Sequence, residues 1–111
     1  MLATLLALSL YVIDGDTIIL GTERIRISNI DAPELHGKCD AEVMLAIAAR
    51  RRLAGLLSDM TPEVRREGTD RYGRTLARLY VGDQDVGELL VSESLARPWM
   101  GRREPWCTTI N

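Results

Sequence analysis

The sequence is poor in the residues that would make several common functions easy. It has one histidine, His36, and two cysteines, Cys39 and Cys107, in 111 residues. That set argues against a zinc site, which takes four nitrogen or sulfur ligands in its structural form. No apolar run reaches the roughly 18 residues of a membrane-spanning helix, so no membrane association is expected. Lysine is nearly absent, and the net charge of −2 lacks the basic surplus of an ordinary nucleic-acid binder. No internal repeat, linker or low-complexity stretch divides the chain.

What remains describes one folded domain over residues 1–111. The composition is 46% apolar and 27% charged, which excludes a disordered chain. Arginine carries almost all the positive charge, with Lys38 the single lysine among 14 basic residues. Residues 65–78 hold Arg65, Arg66, Arg71, Arg74 and Arg78 against Glu67 and Asp70, a local basic surplus. A planar guanidinium suits phosphate oxygens, although codon usage explains an arginine excess equally well.

Apolar residues 4–13 read as a buried strand rather than a targeting segment, because no positive leading region precedes them. Thr17–Leu20 and Arg24–Ile30 read as a hairpin turning at Gly21-Thr22. In its second arm Ile25 and Ile27 alternate with Arg24 and Arg26, so period two puts Arg26 on the face opposite the core. Asp40 to Leu57 is the clearest helix, with Asp40 as N-cap and a stripe of Leu45, Ala49, Leu53, Leu56 and Leu57. Residues 63–67 and 74–81 predict two further strands, 85–96 a second helix, and 98–111 an irregular tail. Strands and helices in this order predict an α+β fold: a five-stranded Greek-key barrel of the OB type with two or three helices. The outer face of strands 2 and 3 is the binding surface of such barrels.

Acidic residues end two of these strands. Asp14-Gly15-Asp16-Thr17 follows Tyr11-Val12-Ile13, and Asp31-Ala32-Pro33-Glu34 follows Ile25 to Ile30. If the strand ends meet, four carboxylates converge and require a cation, and oxygen ligands select a hard one. Each motif alone is an ordinary turn. Their order and spacing, with Arg26 and with Asp70-Arg71-Tyr72-Gly73-Arg74 downstream, resemble the staphylococcal nuclease (thermonuclease) family over about residues 10–97.

The resemblance implies a Ca²⁺-dependent nuclease without sequence preference, acting on DNA and RNA, preferentially single-stranded, as a monomer, and leaving 3′-phosphate ends. It makes Asp16, Asp31 and the backbone carbonyl of Ala32 the metal ligands, with Asp14 in the outer shell. It makes Glu34 the general base, and Arg26 and Arg74 the groups that bind phosphate and stabilise its developing charge. Tyr72 would hydrogen-bond a terminal phosphate, with Arg71 beside it. Carboxylates and carbonyls also serve Mg²⁺ and Mn²⁺, so Ca²⁺ rests on the resemblance alone.

The chain departs from the family in places. A second tyrosine used for base stacking has no match; Trp99 and Met100 fall there, and Trp99 is either a stacking platform or a packed side chain. Several lysines of the family's cleft are missing. The alternative function is a non-catalytic nucleic-acid-binding module on the same barrel. Cys39 and Cys107 are either two separate thiols or a disulfide, and the latter would point to a secreted or periplasmic protein.

Overall fold

A computed structural model of the protein describes residues 9–108. The expectations for residues 4–8, and for a targeting segment, lie outside them. The described chain runs β1 (Leu10–Asp14), β2 (Thr17–Leu20), β3 (Glu23–Ile27), β4 (Ile30–Asp31) and α1 (Asp40–Leu56). It continues through β5 (Glu63–Thr69), β6 (Thr75–Val81), β7 (Gln84–Asp85), α2 (Val86–Ser92) and β8 (Arg97–Pro98).

Five strands line up in the order β1-β2-β3-β6-β5, with β7 beside β6. The pairs are antiparallel except β3 with β6, which run parallel. This is the α+β architecture of the OB type. Among the described residues β1 and β5 stay unpaired, so the barrel is open at that seam.

The alternation read in the sequence decides which side is core. Ile18 pairs with Ile25 across β2 and β3, and both are fully buried. Ile27, Ala77, Leu79 and Leu53 join them, with Val86 and Leu90 from α2 closing the end. Fully burying an Ile or Leu side chain stabilises by roughly 1.5–3 kcal/mol. Arg26 sits between Ile25 and Ile27 and takes the opposite face, as period two requires.

Several boundaries differ from the sequence reading. The arm read as Arg24–Ile30 is split into β3 and β4 at Ser28-Asn29, β5 runs on to Thr69, and Pro98 of the expected irregular tail pairs in β8 with Ile30. The N-cap of α1 is Cys39 rather than Asp40, and its side chain makes no capping bond. A disulfide links Cys39 to Cys107, so that sulfur is engaged with the tail instead. Helix α2 stops at Ser92 rather than 96: Ser94 has a positive φ of 61°, and the Leu95 N–H returns to the Leu90 carbonyl.

The buried stripe of α1 carries Glu42, Ala46, Ala49 and Leu53, with Leu57 just beyond its end; Leu45 and Leu56 of the expected stripe are only half-buried, because the face is turned so that Ala46 meets the sheet. Ala49 packs so closely on the β1–β2 turn that a Cβ on Gly15 would lie 2.8 Å from its methyl group. Only glycine allows the helix, the first acidic turn and Ala32 to meet there.

Candidate active site

The first acidic motif is aimed by an irregularity in its strand. Val12 pairs with Ile18 and Asp14 with Thr17, so β1 carries one extra residue just before the acids. A bulge of this kind bends a strand and redirects its side chains. Asp14 Oδ1 then accepts from the Asp16 N–H at 3.2 Å, and the Thr17 hydroxyl donates to Asp16 Oδ1 at 2.9 Å. Asp16 Oδ2 accepts from the Ala32 N–H at 3.2 Å. That last bond joins the two acidic motifs directly, with the carboxylates at neighbouring strand ends.

Both central carboxylates are buried: Asp16 is 9% exposed and Asp31 3%. Burial, with the charge of Asp16 alongside, pushes the Asp14 carboxyl up to about 7. Burial also raises Asp31, assisted by Asp16, while Arg103, Arg26 and the Trp106 side chain pull it down without cancelling the rise. Asp31 Oδ1 is buried and completes no hydrogen bond. Excess negative charge in a low-dielectric site with an orphaned acceptor suits a hard cation. Among the described residues, Asp14, Asp16 and Asp31 do not form a cage of three mutually close ligand atoms. Such a set occurs only at Cys39, Glu42 and Cys107, whose sulfurs are already bonded to each other. What fits a cation is the pair of buried carboxylates, Asp16 and Asp31, joined through the Ala32 N–H and with Asp31 Oδ1 lacking a donor; carbonyl and water oxygens would complete the shell.

Arg26 lies beneath this pair, its Nη2 at 3.9 Å from Asp16 Oδ2. Its Nη1 donates to the Ile27 carbonyl at 2.9 Å and its Nη2 to that of Ile30 at 3.1 Å. The guanidinium covers the Trp99 ring, 5.0 Å from its centroid. Trp99 is thus a partly exposed platform against Arg26, its backbone N–H donating to the Asn29 carbonyl at 3.0 Å.

Glu34 is exposed on the loop after β4. Its backbone N–H donates to Glu42 Oε2 at 3.1 Å, and the Lys38 N–H donates to Glu42 Oε1 at 3.1 Å. A Cβ on Gly37 would lie 2.6 Å from the Glu42 side chain, so the loop wraps that carboxylate tightly. In the sequence Glu42 looks like a first-turn helix acid; its buried position on the α1 stripe was the available signal for another role.

Arg74 and Tyr72 belong to the β5–β6 turn. Asp70 organises that turn, accepting from the Tyr72 and Arg74 N–H groups at 2.9 Å each. Arg74 Nε donates to Asp70 Oδ2 at 2.7 Å, and among the described residues Arg74 makes no ion pair with the acid cluster. Tyr72 is exposed, and its hydroxyl accepts from Arg71 Nη2 at 2.8 Å.

The residue that does reach the acids comes from the tail. Arg103 Nη1 donates to Glu34 Oε1, and its Nη2 lies 3.4 Å from Asp31 Oδ1. Nothing in the local sequence marks Arg103. Its position depends on the disulfide four residues later and on the pairing of β4 with β8, where Asp31 opposes Arg97.

Comparison with known proteins settles the family. A model of staphylococcal nuclease homologues matches residues 24–108. The chain belongs to the staphylococcal nuclease family. It is 34% identical over 99 residues to a thermonuclease of Staphylococcus intermedius, covering 78% of this chain and 55% of that protein. It is 34% identical over 98 residues to a micrococcal nuclease of Shigella flexneri, covering 77% and 53%. An uncharacterized endonuclease of Haemophilus influenzae is 32% identical over 88 residues, covering 75% and 46%. The chain thus spans about half the length of the curated relatives it matches. Relatives that carry nuclease and endonuclease names are consistent with hydrolytic chemistry at this family's site.

Proposed function

We propose that the protein is a Ca²⁺-dependent nuclease that hydrolyses phosphodiester bonds of DNA and RNA, preferentially single-stranded, without sequence preference, and leaves 3′-phosphate ends. The observation that carries this is the Asp16–Asp31 pair. Two buried carboxylates stand at adjoining strand ends, linked by the Ala32 N–H, with one oxygen left without a donor.

Asp16, Asp31 and the Ala32 carbonyl would hold the cation, and the Asp14 carboxylate braces Asp16 by accepting from the Asp16 N–H. When bound, the cation neutralises phosphate charge and acidifies or positions a water. Glu34 stands outside the buried pair and takes the proton from the attacking water as that water approaches phosphorus. Glu42 holds the Glu34 backbone in place, which fixes where that base can reach.

Arg26 gives one N–H from each Nη to the Ile27 and Ile30 carbonyls, which fixes its guanidinium beside Asp16 and leaves a second N–H on each to bind phosphate oxygens and stabilise their developing charge. Arg74 is different. Asp70 grips it through Nε, which leaves the paired Nη groups to bind phosphate oxygens and stabilise the charge that develops on them. Tyr72 and Arg71 extend that surface for a terminal phosphate, and Trp99 offers a partly exposed ring to a base. The Cys39–Cys107 disulfide supports a secreted or periplasmic location, and the protein is taken to act as a monomer.

The test is incubation with labelled single-stranded DNA and RNA, with Ca²⁺ or chelator, alongside Glu34→Gln and Arg74→Ala. Calcium-dependent cleavage that collapses in both variants is the expected result. Tight binding without cleavage under any divalent ion would assign the protein to the binding-module reading instead.

A further inference from the structure

We propose that Arg103 is a substrate-binding residue of this site, a tail-borne guanidinium that the Cys39–Cys107 disulfide delivers to the scissile phosphate. The proposal rests on the nuclease reading above and adds a phosphate ligand to it.

The three arginines near the chemistry differ in what they can still donate. Arg26 is 13% exposed, and each of its Nη groups already gives one N–H to a carbonyl. Arg74 keeps free Nη groups, yet its one ion-pair partner among the described residues is Asp70. Arg103 is 51% exposed and reaches both Glu34 and Asp31. It is the guanidinium that touches the carboxylates on their open side.

Its hold on Asp31 is loose. At 3.4 Å, Nη2 forms an ion pair but no aligned hydrogen bond, and Asp31 Oδ1 stays without a donor. A divalent cation at Asp31 would replace that ion pair and repel the guanidinium. Arg103 would remain pivoted on Glu34, with its other N–H donors beside the groups that attack phosphorus. A phosphate oxygen is the partner those donors suit.

The surroundings agree with a ligand there. Arg103 and Glu34 border a cleft of about 530 Å³ between the 34–38 loop and the tail, also lined by His36, Lys38 and Trp106. Glu42, the buried acid of that cleft, is already engaged by the Glu34 and Lys38 N–H groups. The disulfide pins the tail four residues beyond Arg103, and Arg97 fixes it on the near side by pairing opposite Asp31. The backbone that carries Arg103 is therefore restrained on both sides, and the side chain keeps the freedom to turn from Asp31 to a ligand.

The experiment measures binding and cleavage of a fluorescein-labelled single-stranded deoxythymidine decamer in Ca²⁺ at several salt concentrations, for wild type, Arg103→Ala and Arg103→Lys. Binding constants are read separately on a phosphorothioate form of the decamer, which is cleaved slowly and leaves the Glu34–Arg103 pair intact. On that probe Arg103→Ala should weaken binding about tenfold, as loss of one charge-assisted contact implies. The slope of log K against log salt should fall by about 0.7, one phosphate contact on a single strand. Arg103→Lys should keep the slope and recover part of the affinity. An unchanged slope, or tighter binding and faster cleavage in Arg103→Ala, would overturn the proposal; the second result would make Arg103 a plug. Failure of the wild type to cleave while the Arg103-dependent slope persists would support the contact and sink the nuclease reading separately.

Discussion

The buried Glu42 carboxylate accepts hydrogen bonds from the backbone N–H groups of Glu34 and Lys38, each at 3.1 Å. An acid on the core face of α1 thereby shapes the loop that carries the proposed base. Glu42→Ala should destabilise the protein by about 1–3 kcal/mol, because two backbone donors lose their acceptor. Chemical denaturation reads that loss. At temperatures where the variant is folded, kcat should fall more than KM changes, since Glu34 keeps its side chain and loses its position. Equal loss in both constants would make Glu42 structural only.

Much of this frame was legible in the sequence. The alternation around Arg26 and the leucine and alanine spacing of α1 follow from residues that bury themselves locally. The acidic motifs could be placed because they end strands. Arg103 was not legible, since its place depends on where the tail returns across the disulfide. Glu42 was legible only as an acid on the apolar stripe of α1; its loop partners are backbone N–H groups, which no side-chain pattern marks. The open seam between β1 and β5 likewise reflects long-range pairing, which no local pattern of either strand encodes. The Asp70–Arg74 grip has a local basis in a four-residue spacing, but an acid in a turn signals a turn before it signals a partner.

Glu23 provides a pH test outside the acid cluster. It accepts from Arg66 at 2.8 and 2.6 Å and from the Thr75 hydroxyl at 2.7 Å, which together hold its carboxyl at about 2 instead of 4.5. A depressed folded value means the contribution is present above pH 4.5 and is lost as pH falls through 2. Glu23 is partly exposed, so screening reduces the contribution to about 1 kcal/mol. Glu23→Gln should lower Tm by about 4–8 °C at pH 7 and leave it nearly unchanged near pH 2. An equal deficit at both pH values would contradict this.

The Cys39–Cys107 bond closes a loop with a sequence separation of 68. Its removal in Cys39→Ser/Cys107→Ser should cost about 4 kcal/mol in the chain-entropy account. Thiol titration of the unfolded, unreduced protein should find no free thiols, and two after reduction. Two free thiols before reduction would remove the basis for a secreted or periplasmic location.

The central claim is that Asp16 and Asp31 hold the cation on which cleavage depends. The most direct measurement is the Ca²⁺ concentration for half-maximal cleavage of a labelled single-stranded oligonucleotide, in wild type, Asp16→Asn and Asp31→Asn. No cleavage is expected in chelator, and each variant should require at least about tenfold more Ca²⁺, the loss of one charged ligand contact. Cleavage that persists in chelator, or variants with an unchanged Ca²⁺ requirement, would contradict it.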